Sequence, residues 1–113
     1  MLHISVEGKT IAIVLSEPND ISQLLRRSRF LLRAVRLHRY TLLLDFKELQ
    51  ILAKSKLASY NCFFHLCGDL SPDRVSVLAS NAILCSQVRK MAQEAGLSNL
   101  DVFNLSSDAV RTR

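Results

Sequence analysis

Between Asp20 and Asp45 the chain carries no acidic residue at all, and nowhere does an apolar run approach the ~20 residues needed to cross a bilayer. The first absence leaves the cations of that stretch without local counter-charges. The second excludes a membrane-spanning helix, although not contact with a membrane surface. Cysteine is scarce: Cys62, Cys67 and Cys85 are too few to pair completely within one chain, and "MLHISVEGKT" turns polar too early for a secretion signal. A reducing cytoplasm is the expected location, with a peripheral position at the inner membrane face as its variant. There is no internal repeat, low-complexity tract or linker, so residues 1–113 are expected to form a single domain. No glycine-rich phosphate loop and no Ser-His-Asp set can be assembled.

What is present is an ordinary globular composition, 49% apolar and 22% charged, with a net charge of +5. That balance makes anionic partners worth considering but says nothing about fold. "LHISVEGKTIAIVLSE" alternates around a turn at Glu7-Gly8-Lys9 and predicts a hairpin. Asp20, with Gln23 three residues on, predicts a capping box for a helix from about Ile21 to about His38. "YTLLLDF" predicts a central strand buried on both faces. A second helix is expected through Leu52, Leu57, Tyr60 and Phe64, stopping at Gly68. "RVSVLA" predicts a strand. Ser80 or Asn81 can cap a third helix through Ile83, Leu84, Val88, Met91 and Ala95, which ends at Gly96. "LDVFNLSS" predicts a last strand, and "SDAVRTR" a cap with too few residues for more than a turn. The order β-β-α-β-α-β-α-β implies an α/β fold: a mostly parallel sheet of about five strands, right-handed crossovers, three to four helices and the first strand at an edge.

That order, with "YTLLLDFKELQILAKSKLA", "DRVSVLASNAILCSQVRKMAQEAG" and "GLSNLDVFNLSSDAV", resembles the STAS domain superfamily, in particular the SpoIIAA-like branch of small bacterial proteins similar to anti-sigma factor antagonists. The resemblance implies a non-enzymatic regulatory or binding module. In phosphorylatable members an Asp-Ser-Ser-Gly motif follows the central strand. Laid onto this chain it falls on Ala53, Lys54, Ser55 and Lys56, where only Ser55 keeps a hydroxyl, one position late. The branch also implies ligand-binding or membrane-associating modules. Members usually close with a covering helix, and a shortened end here would expose an apolar surface to a lipid-like ligand or a second subunit.

The residues themselves single out "RRSRFLLRAVRLHR", six arginines within residues 26 to 39. On a helical wheel Ile21, Leu24, Leu25, Leu31, Leu32 and Val35 gather on one side with Ser28 among them. Arg26, Arg29, Arg33 and Arg36 form a neighbouring stripe beside outward Phe30 and Leu37. This pattern suits an anionic membrane or an acidic protein partner. The plainer alternative is a solvated helix whose arginine stems cover apolar neighbours. Against nucleic acid stand the missing aromatic interleaving and the missing reading motif.

Lys54, Ser55 and Lys56, at the start of the second helix, are the candidate anion or phospho-switch site, with a capping serine between solvated lysines as the simpler account. Asp45 ends the central strand, where α/β sheets hold ligands, but a turn-stabilising carboxylate is the better reading. "CFFHLC" brings Cys62, His65 and Cys67 near one another. A helix turns the two thiols to different sides, so buried free thiols are the expected state and no metal or cofactor is expected. Three functions therefore stand: a binding module acting through the basic helix, an antagonist switched by phosphorylation near Ser55, and a small enzyme whose site has no recognisable constellation.

Overall fold

The computed structural model describes residues 1–70 and 73–105. Strands β1 (His3–Glu7) and β2 (Thr10–Val14) form the hairpin, and β3 (Thr41–Phe46), β4 (Arg74–Ala79) and β5 (Leu100–Asn104) follow. They make one sheet in sequential order, with β1 antiparallel to β2 at the edge and all later pairs parallel. Helix α1 (Asp20–His38) joins β2 to β3, α2 (Leu57–Leu70) joins β3 to β4, and α3 (Ala82–Glu94) joins β4 to β5. Among the described residues, the α/β class, the five strands and the three helices joining them agree with the pattern read from the sequence.

The hairpin turns at Gly8, whose φ of 57° is the left-handed backbone that a two-residue loop requires. Because the strand order steps one place at a time, crossovers of constant hand put every helix on the same side of the sheet. The burial pattern agrees. Ile11, Ile13 and Leu15, Leu42, Leu44 and Phe46, and Val75, Val77 and Ala79 are buried beneath the helices. Each Val, Leu or Ile buried this way contributes roughly 1.5–3 kcal/mol. The opposite face carries Ala12, Val14, Leu43, Asp45, Ser76 and Leu78, which are only half-buried, and Phe103, which is exposed. Among the described residues, the central strand is therefore covered on one face, not two. The apolar run "TLLL" looked two-sided because its outward leucine, Leu43, sits between the half-buried Ala12 and Ser76 of its neighbours.

Three other expectations change. Asp20 does not cap the first helix by a box with Gln23. Asn19 holds the N-cap position without a side-chain bond, and the Asp20 carboxylate turns back to accept the amides of Ser16 (2.9 Å) and Glu17 (3.0 Å). The second helix does not include Leu52, which lies in the loop before a 3-10 turn with its amide taken by Gln87 Oε1; α2 starts at Leu57, and Gly68 does not stop it, since it continues to Leu70. Ile83 belongs to α3 but is exposed, while Leu84, Cys85, Val88 and Ala92 face inward. The other signals hold: Asn81 Oδ1 accepts the Leu84 amide at 2.8 Å, a cap contributing about 1 kcal/mol, and Gly96 turns the chain out of α3 at φ 72°. The expected terminal cap and turn, "SDAVRTR", lies outside the described residues, and so does the expectation of a shortened cover built on it.

Candidate functional site

Helix α1 forms because apolar groups recur every three to four residues, and it buries that line against the sheet and α2. Asp20, Ile21, Leu24, Ser28, Leu32 and Val35 are buried, and Leu25 and Leu31 are half-buried. Ser28 survives on this face because its hydroxyl donates to the Leu24 carbonyl at 2.8 Å. The remaining surface is the stripe read from the sequence. Arg26, Arg29, Arg33 and Arg36 are all exposed, and none forms an ion pair among the described residues. Phe30 is 85% exposed and Leu37 77% exposed, two turns apart on the side opposite the buried line. Two large apolar groups held in water beside four unpaired cations contribute nothing to the fold. Like charges at these spacings cost a few tenths of a kcal/mol per pair.

The basic surface extends further than the sequence indicated. α1 ends at Arg39, which adopts the left-handed conformation (φ 56°) that glycine usually supplies, and the following Tyr40 amide closes on the Val35 carbonyl at 2.9 Å. Lys9, from the hairpin turn, places its ammonium 5.7 Å from the centre of the Tyr40 ring. Thr41 N–H bonds the Lys9 carbonyl at 2.7 Å, so the pairing of β2 with β3 is what brings Lys9 to the end of α1. The residue pattern around Lys9 shows a turn but not its neighbour, because the contact depends on strand order.

The second candidate, Lys54, Ser55 and Lys56, forms a 3-10 turn leading into α2. Its three side chains do not converge. Lys54 and Ser55 are exposed, whereas Lys56 turns inward and its Nζ donates to Ser22 Oγ at 3.1 Å. The loop before it, after β3, is fastened to α3: Ser80 Oγ donates to the Leu49 carbonyl (2.9 Å), Asn81 Nδ2 to the Gln50 carbonyl (2.9 Å), and the Leu52 amide to Gln87 Oε1 (3.0 Å). Asp45 accepts the Lys47 amide at 3.0 Å and lies 3.5 Å from the Lys47 ammonium, so it stabilises its turn. The polar groups at this edge of the sheet are thus engaged in holding the loop.

Sequence reasoning missed the environment of Asp20. Burial pushes its carboxyl up, but the Ser16 and Glu17 amides and the nearby Met1 α-amino group outweigh that and hold it below its usual value. A depressed value in the fold means that the carboxylate contributes stability above about pH 4, the ordinary carboxylate range, and that this is lost as pH falls through the lowered value. The difference in Tm between wild type and Asp20→Asn should therefore be constant near neutrality and shrink in acid. A gap that stays flat down to the acid limit would contradict it. Tyr60 packs close enough to feel the Asp20 charge, and burial first, then that charge, pushes its phenol up to about 12.

Cys67 and Cys85 are buried free thiols, but Cys62, expected to be buried, is exposed because it stands on the other side of α2 from Cys67. Burial pushes the Cys67 thiol up to about 12, far from the thiolate that reacts or ligates. No group of three or more His, Cys, Asp or Glu side chains suited to a metal occurs among the described residues. Iodoacetamide at neutral pH should add one label to the folded chain, at Cys62, and three after denaturation; intact mass gives both counts. Between α2 and α3 runs a groove of about 410 Å³ lined by Leu57, Ala58, Asn61, Gln87, Lys90, Met91 and Glu94, which periodicity alone did not reveal because both helices contribute to it.

No described helix is long and apolar enough to cross a membrane. Compared with protein-family models, curated proteins and solved structures, the chain matches none.

Proposed function

We propose that the chain is a non-catalytic binding module of STAS-like architecture that attaches through the outer face of α1 to a polyanionic surface, an acidic protein or an anionic membrane, in the cytoplasm. The observation that carries this reading is the exposure of Phe30 and Leu37 beside Arg26, Arg29, Arg33 and Arg36, none of them ion-paired among the described residues. A solvated helix face gains nothing from exposed phenylalanine and leucine. An anionic partner offsets the repulsion among the arginines and covers the apolar pair. Retention on polyglutamate and co-sedimentation with anionic vesicles, compared between wild type and Arg29→Glu/Arg33→Glu, test the reading; equal binding by both proteins would end it.

The STAS-like resemblance supplies a second reading, a partner-switching antagonist. It is favoured by the exposed Ser55 hydroxyl in the turn that opens α2, next to the exposed Lys54. A single added phosphate on Ser55, read by intact mass after incubation with a cognate serine kinase, would support it; no added phosphate would end it.

A further inference from the structure

We infer that the surface met by α1 is an anionic lipid bilayer, with the helix lying in the headgroup layer, Phe30 and Leu37 inserted and the hairpin turn providing a second contact; this rests on the polyanion reading above. Three features favour a bilayer over an acidic protein. The apolar pair stands at the crest of the helix, half a turn from the buried line of Leu24, Ser28, Leu32 and Val35, so it leads any approach to a flat surface. Cations border the crest on both sides, with Arg26, Arg29 and Arg33 on one flank and Arg27 on the other. Long stems let such guanidinium groups reach phosphates while the helix sinks between them. At the C-terminal end of α1 the exposed Arg39 and Lys9 stand beside Tyr40, and a tyrosine with cations around it is the side-chain set that settles at a membrane interface. These residues come from two separate parts of the chain, the hairpin turn and the end of α1.

The chain contains no tryptophan, so a single one introduced by substitution reports its own position. Phe30→Trp, Leu37→Trp and, as a control on α3, Ile83→Trp replace exposed side chains and leave the core untouched. With vesicles of phosphatidylcholine containing phosphatidylglycerol, the first two should shift emission to the blue and be quenched by brominated acyl chains. Neither should respond to phosphatidylcholine alone, and the Ile83→Trp protein should respond to neither. In the Phe30→Trp protein, Lys9→Glu should weaken partitioning about fivefold and Arg29→Glu/Arg33→Glu about a hundredfold. Binding to vesicles or polyglutamate with the tryptophans still in water would overturn the bilayer and leave the polyanion reading standing. No binding to either would overturn both.

Discussion

Reversing two arginines on the outer face of α1, Arg29→Glu with Arg33→Glu, should lower affinity for anionic vesicles about a hundredfold while leaving the fold intact. Each cation near an anionic surface contributes about 1 kcal/mol, and two reversals both remove two attractions and add two repulsions. That amounts to about 4 kcal/mol before screening, and a Debye length of about 8 Å at physiological ionic strength reduces it. A loss of about two decades is the expectation that remains. Folding should barely respond, because both side chains are exposed, form no ion pair among the described residues, and stand among like charges whose repulsion the change relieves. Vesicle co-sedimentation gives the affinity and thermal unfolding followed by circular dichroism gives the stability. An undiminished affinity at unchanged Tm would leave α1 as a solvated helix and nothing more.

The same experiment separates charge from apolar insertion when it is run beside Phe30→Ala with Leu37→Ala. If binding were a matter of the overall +5 alone, the alanine pair would behave like wild type. An interface built on the crest of α1 loses affinity in both variants, and only the arginine variant loses the salt dependence as well. A chain acting as an enzyme around Asp45 and the turn at Lys54 would be indifferent to either pair.

The sequence disclosed what depends on local periodicity and concealed what depends on neighbours brought from elsewhere. The inward line of α1, from Ile21 through Leu32 to Val35, and the outward Phe30 and Leu37 were legible because a helix fixes the angle between residues a few positions apart. The Asn81 cap and the Gly96 exit were legible for the same reason. Asp20 misled because an acidic residue followed three positions on by glutamine satisfies the capping pattern, yet a carboxylate one residue inside the helix also reaches back to the loop amides of Ser16 and Glu17. Leu43 misled because an apolar strand residue reads the same whether a helix or only neighbouring strands shield it. Lys9 beside Tyr40 had no local signal, since it follows from β2 lying next to β3.

Gly68 is where such concealment has its largest consequence for stability. From the sequence it reads as the end of a helix, a position that favours glycine for its left-handed backbone. In the fold α2 runs past it to Leu70, and Gly68 is absent from the positive-φ residues, which among the described residues are Gly8, Arg39 and Gly96. Its requirement is space: a Cβ at Gly68 would stand 2.9 Å from the Ala95 carbonyl oxygen at the end of α3. That oxygen belongs to the backbone beside the Gly96 turn, so it cannot move aside as a side-chain tip would. Gly68→Ala gains about 1 kcal/mol of helix propensity and loses more than that to the clash, for a net destabilisation of about 1 kcal/mol. Gly68→Leu adds a branched side chain to the same gap and should cost about 3 kcal/mol or more by separating α2 from α3. Had the glycine been a left-handed cap, asparagine would be nearly as good, because asparagine tolerates that backbone. Asparagine brings the same Cβ, so denaturant unfolding of Gly68→Asn decides between the two origins. A loss at least as large as that of alanine identifies crowding against α3, and a stability near wild type would restore the cap.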